Sequence, residues 1–176
     1  VGIGPLKIGM SMDDVTKLQE VDGVYLTEPL SVFEMKTATP IPGINTYSSK
    51  MMIPNSSNPL KSYLIFSENK LTSILLDFEK SPDLYEQIKN QISEKYSQSV
   101  IEDNQKEEQC IYKNGANFKI KSGQIKTVWT QNLPADEKIE TTASIYTFNS
   151  CPSNLRGGTM GESEFKTLKI NKVGKN

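Results

Sequence analysis

Two groups of side chains in this 176-residue chain have the types and spacing to do chemistry. One is an acidic run, Glu102, Asp103, Glu107 and Glu108. The other is the pair of cysteines, Cys110 and Cys151. Clustered carboxylates can neutralise a basic partner or hold a cation. Calcium takes oxygen ligands at alternating positions around a glycine, as in D-x-[DN]-x-[DN]-G, and that pattern is missing, so no metal site is expected. An acidic loop is ordinarily a solvated face. Its candidate role is binding, by contact with a basic protein surface. Asp77 and Glu79 have the parity to share one strand face, as a glycosidase carboxylate pair requires. Two acids bordering a polar loop are far more common as surface groups.

Other catalytic devices lack a member. The chain has no histidine, which removes the usual general base near neutral pH and the commonest zinc ligand. Its serines sit in no G-x-S-x-G elbow and no S-x-x-K tetrad. Arg156 is the only arginine, so at most one bidentate anion clamp can be built. Gly157-Gly158 beside it follows no strand-helix phosphate motif and reads as a loop. Trp129, Tyr112, Phe118 and Tyr146 have the chemistry of a stacking platform, and core packing accounts for the same residues more simply. No catalytic residue and no cofactor is expected.

The cysteines lie far outside any CxxC redox or zinc-ribbon spacing. Each borders an expected strand, Cys110 before Ile111-Tyr112 and Cys151 after Ile145–Phe148. A disulfide in an oxidising compartment is the favoured reading, ahead of two unrelated buried thiols. A catalytic cysteine would need a lysine or a helix N-terminus to form its thiolate.

Lys+Arg is 20 against Asp+Glu 21, a net charge of -1. No basic field exists to hold a nucleic acid. Apolar clusters such as Ile74-Leu75-Leu76 fall far short of the roughly 20 residues of a membrane span. The residues from Val1 onward lack the charged and apolar regions of a signal peptide, although a processed chain would read the same way. The length fits a single domain over 1–176 that folds alone, divisible into two α/β sub-repeats, 1–80 and 81–176.

The elements that must position these groups follow from local signals. Ser11 with Asp14 forms a capping box for a helix through about Gln19, stopped near Asp22-Gly23. Val24–Leu26 and Val32–Met35 read as short strands. Prolines make 40–59 mostly loop, with a short strand near Lys50–Ile53. Tyr63–Phe66 and Leu71–Phe78 flank a polar turn as a hairpin. Ser81 is the expected cap of a helix through about Ser97, whose apolar stripe is Tyr85, Ile88, Ile92 and Tyr96. After an acidic linker, 101–109, strands are expected at 110–113, 117–120, 125–130 and 139–148, with turns at Asn114-Gly115 and Ser122-Gly123. Phe165–Ile170 reads as an edge strand, and Asn171–Asn176 as a frayed end. The expected fold class is α+β: a mainly antiparallel sheet with two helices on one face, in the order helix, strands, helix, strands.

Leu6-Lys7-Ile8-Gly9-Met10-Ser11-Met12-Asp13-Asp14-Val15 resembles the opening of small exported bacterial envelope proteins, namely the outer-membrane assembly lipoproteins of the SmpA/BamE type and the β-lactamase inhibitor proteins. The block from Leu71 through the helix Tyr85–Tyr96 to Trp129 is similar to secreted bacterial domains with a helix laid on a sheet. The resemblance implies an exported, non-enzymatic protein that binds another protein, and it transfers no functional residues. The expected function is therefore an exported protein-binding module, periplasmic or outer-membrane-associated. An inhibitor or an immunity protein against a secreted toxin or enzyme fits, engaging its partner through the sheet face or through loops 36–60 and 101–109. The alternative is a structural or assembly component of the envelope, with a lipid anchor upstream of Val1.

Overall fold

A computed structural model gives the fold and describes residues 2–34, 39, 41–96, 98–152 and 163–174. Of these, 54% are strand and only 13% helix. That overturns the α+β expectation and its helix-strands-helix-strands order. The chain opens with two strands, and its helices are minor elements on a large antiparallel sheet. The reason is that segments read as loop or linker carry strand pairing that no local signal marks.

β1 (Gly2–Ile3) and β2 (Leu6–Lys7) form a small ladder of their own. The capping box at Ser11 is present, with Asp14 N–H donating to Ser11 Oγ at 3.2 Å. The helix it starts, α1, runs only Met12–Thr16 and buries a single residue, Val15. One buried side chain cannot sustain a longer helix, so the expected extension to Gln19 does not form.

β3 (Tyr25–Leu26) and β4 (Ser31–Val32) both pair with β5 (Ile44–Met52), which occupies much of the segment read as loop. β6 (Leu60–Ser67) and β7 (Lys70–Asp77) form a hairpin whose turn residues, Glu68 and Asn69, have φ of +48° and +61°. That is the backbone a two-residue turn needs to match strand twist. α2 spans Leu84–Lys95, and its N-cap is Asp83, without a side-chain capping bond. Ser81 is not the cap, because its hydroxyl lies 3.0 Å from that of Ser56. Ser97, the expected end of this helix, falls outside the described residues.

The expected linker 101–109 is β8 (Val100–Asp103) and β9 (Lys106–Ile111), both antiparallel to β10. β10 is one strand, Asn117–Asn132, where two strands and a turn at Ser122-Gly123 were expected. Gly123 (φ +130°) lies against the β8–β9 connection, and a Cβ there would come within 2.5 Å of Asn104 O. The glycine permits that approach and does not turn the chain. β11 covers Lys138–Phe148, and β12 covers Ser163–Val173.

The large sheet runs β3-β5-β6-β7-β12-β11-β10-β8, with β4 beside β5 and β9 beside β10. β12 is thus a central strand and not an edge. It aligns Leu168 with Leu76 on one side and Ala143 on the other. Its alternate residues Leu168 and Ile170 join the core cluster with Leu64, Ile74 and Trp129. Leu6, Val15 and Val24 from the N-terminal segment, with Leu84 and Tyr85 from α2, cover the same face.

Candidate functional site

The four expected acidic residues lie along the β8–β9 edge. Residues 100–103 pair with 125–128 of β10 and residues 106–111 with 117–122, two ladders either side of Gly123, and period-2 alternation within each sends adjacent residues to opposite faces. Glu102 and Asp103, opposite Lys126 and Ile125, therefore point to opposite faces, and so do Glu107 and Glu108, opposite Lys121 and Ile120. The structure therefore does not bring the four carboxylates into one patch.

Most of their charge is also answered locally. Glu102 lies 3.3 Å from Lys126 Nζ, and Glu107 lies 4.0 and 3.9 Å from Lys119 and Lys121. Asp103 Oδ1 accepts the Gln105 N–H at 2.9 Å. Glu108 has no ion pair among the described residues. Exposed cross-strand pairs such as these add little stability, and charges along a sheet edge hinder pairing with another chain.

Asp77 and Glu79 are both engaged in local hydrogen bonds. Asp77 Oδ1 accepts the Glu79 N–H at 2.9 Å, and Glu79 takes a hydrogen bond from Lys61 at 3.3 Å. That bond, with the charge behind it, holds the Lys61 ammonium above the ordinary lysine range. Arg156 and Gly157-Gly158 lie outside the described residues, as do 36–38 and 40 of the expected contact loop. Among the described residues no group of three or more potential ligands could hold a metal, and no helix is long and apolar enough to cross a membrane.

The cysteines are joined as Cys110–Cys151, with Cα atoms 5.5 Å apart. The bond ties β9 to the chain just past β11, and Tyr112 OH donates to Pro152 O at 2.6 Å beside it. Tyr112 stacks on Phe118 at 5.8 Å. Such a disulfide belongs to chains of oxidising compartments.

The aromatic set does not form one platform. Trp129 is 2% exposed and packs into the core beneath the helices. Tyr146 lies on the opposite face of the sheet, directly across from Phe165 on β12. Phe148 sits 4.5 Å from the Tyr146 ring and 6.0 Å from the Phe165 ring. Tyr146, Phe148 and Phe165 are 38, 52 and 47% exposed. Sequence reading missed this group because Phe148 and Phe165 are far apart in the chain. The period-2 run Tyr146-x-Phe148 was its only local signal.

No protein-family model, curated protein or solved structure matches the chain.

Proposed function

We propose that this chain is an exported, non-enzymatic protein-binding module of the bacterial envelope that engages a protein partner through Tyr146, Phe148 and Phe165. The exposed ring cluster is the observation that carries the reading. Apolar side chains gathered on a soluble surface mark interaction sites more often than isolated ones do, and aromatic rings supply much of the binding energy at interfaces. The disulfide supports export to the periplasm or the outer membrane, and so does the resemblance of Leu6–Val15 to envelope proteins. A partner that is a secreted toxin or enzyme makes the chain an inhibitor or immunity protein. The acidic edge then has a secondary part, steering a basic surface towards the rings.

The test places a photocrosslinking phenylalanine analogue at Phe148 or, as a control, at Glu86 on the helix face, in envelope extract of the source organism. One stoichiometric protein captured at 148 and absent at 86 supports the reading. An outer-membrane assembly protein captured there turns it towards the assembly role. The same background at both positions overturns it.

A further inference from the structure

α2 does not close onto the sheet along its whole length. Leu84 and Tyr85 are buried at its first turn, but Ile88 and Ile92 on the same side are only partly buried. Between them and the sheet lies a cavity of about 300 Å³, floored by Leu76, Leu168 and Ile170. Ile3, Val24 and Ile53 wall it on the far side. Interiors hold few voids larger than a water molecule. This volume is at the lower end for small-molecule sites, which run from about 300 to 1,000 Å³.

Shape and polarity narrow the occupant. The α2 residues that line the space run from Leu84 to Tyr96, about 18 Å at 1.5 Å per residue. So long a space of so small a volume is a slot for a chain, not for a fused ring system. It has about twice the volume of a cavity that holds one benzene ring, which corresponds to roughly a dozen carbon atoms.

Gln87, Gln91 and Asn55 add uncharged polar groups to the lining, and at the C-terminal end of α2 stands Lys95, the only charged residue lining the slot among the described residues, its ammonium 5.7 Å over the Tyr96 ring. It joins no ion pair among the described residues. Trp129 lies beside this end of the slot, in a crevice too narrow for a water molecule that shares Tyr96 and Thr141 with it. The Lys95 ammonium calls for an anionic acceptor. The negative end of the α2 dipole opposes an anion here, and Lys95 offsets it, so the preference for an anionic head is a few-fold rather than absolute.

We propose that the slot binds one free fatty acid of about twelve carbons, its carboxylate at the Lys95 end and its tail along Ile92 and Ile88 towards Leu84. This site lies on the face opposite the exposed rings and is independent of the protein-binding reading.

Trp129 is the only tryptophan and reports binding without a label. Delipidated protein is titrated with dodecanoate below its micelle-forming concentration while Trp129 emission is followed. The expected result is a saturable one-to-one change, with affinity falling about fourfold for each methylene removed. Lys95→Gln should weaken dodecanoate about threefold and leave dodecanol unchanged. Ile92→Phe, which fills the slot, should weaken both about tenfold or more. No saturable change, no dependence on chain length, dodecylammonium binding as tightly as dodecanoate, or full binding by folded Ile92→Phe would each overturn the proposal. Binding to phosphatidylglycerol vesicles without binding to dodecanoate would overturn it in favour of a membrane surface. Should Ile92→Phe fail to fold, isotope-filtered NMR on the unaltered protein decides. Contacts from the chain to the methyls of Ile88, Ile92 and Leu168 are expected, and contacts to Tyr146 and Phe148 instead would sink the idea.

Discussion

Cys110 and Cys151 join the chain on either side of β10. Cys110 lies in β9, which pairs with residues 117–122, and Cys151 follows β11, which pairs with residues 123–132. Asn149 secures the same segment, with its side-chain amide donating to Lys121 O at 2.7 Å and its N–H donating to Ser122 Oγ at 2.9 Å. The β9–β10 arm pairs with β11 over only part of its length and depends on this clamp.

Replacing both cysteines with alanine should therefore lower stability by about 4 kcal/mol, the loop-closure value for a bridge of this span. Denaturant unfolding measures the total. Amide exchange should show protection lost first in β9 and in 117–122, with β6 and β7 holding. Uniform loss across the sheet would contradict the clamp.

Phe148→Ala removes a half-exposed ring with few buried contacts, so its cost in stability should stay below about 1 kcal/mol. Capture of the partner should fall severalfold. A large drop in thermal midpoint would instead mark Phe148 as a packing residue.

Tyr85 lies edge-on to Phe78 at 6.0 Å, and its phenol is pushed up to about 12, first by burial and then by the Glu86 carboxylate. The folded protein thus holds this proton above pH 10, where the unfolded chain gives it up. The resulting stability is fully present below about pH 10 and is lost as pH rises towards 12, on the order of 1 to 2 kcal/mol. Chemical denaturation across that range should show the decline, and Tyr85→Phe should flatten it.

Ser11→Ala should cost about 1 kcal/mol, since Ser11 both caps α1 and forms half of a reciprocal pair with Asp14. Ser81→Ala should cost less, because α2 takes Asp83 as its N-cap and the Ser81 hydroxyl meets only Ser56 among the described residues. Urea midpoints of the two variants give the order directly, and the reverse order would show that Ser81 acts as the cap.

What the sequence by itself determined is local. Ser11 and Asp14 start a helix because the bonds between them span three residues. The β6–β7 hairpin is legible from a four-residue polar turn between two apolar runs. The stripe at Tyr85, Ile88, Ile92 and Tyr96 marks the inner side of α2, and the cysteine spacing rules out a redox pair and favours a disulfide. What only the tertiary structure decided is which strands are neighbours. β12 enters the middle of the sheet because Leu168 meets Leu76 on β7 and Ala143 on β11 at once while Ile170 meets Ile74 on β7, a gain no stretch of 163–173 reveals. The acidic run became an edge because β10 offers it a ladder on either side of Gly123, and alternation within each ladder then sent neighbouring carboxylates to opposite faces. Turns and caps are set by neighbours in the chain and can be read there. Strand order, the ring cluster and the slot under α2 are set by burial between distant segments, whose energy belongs to the pair and not to either sequence alone.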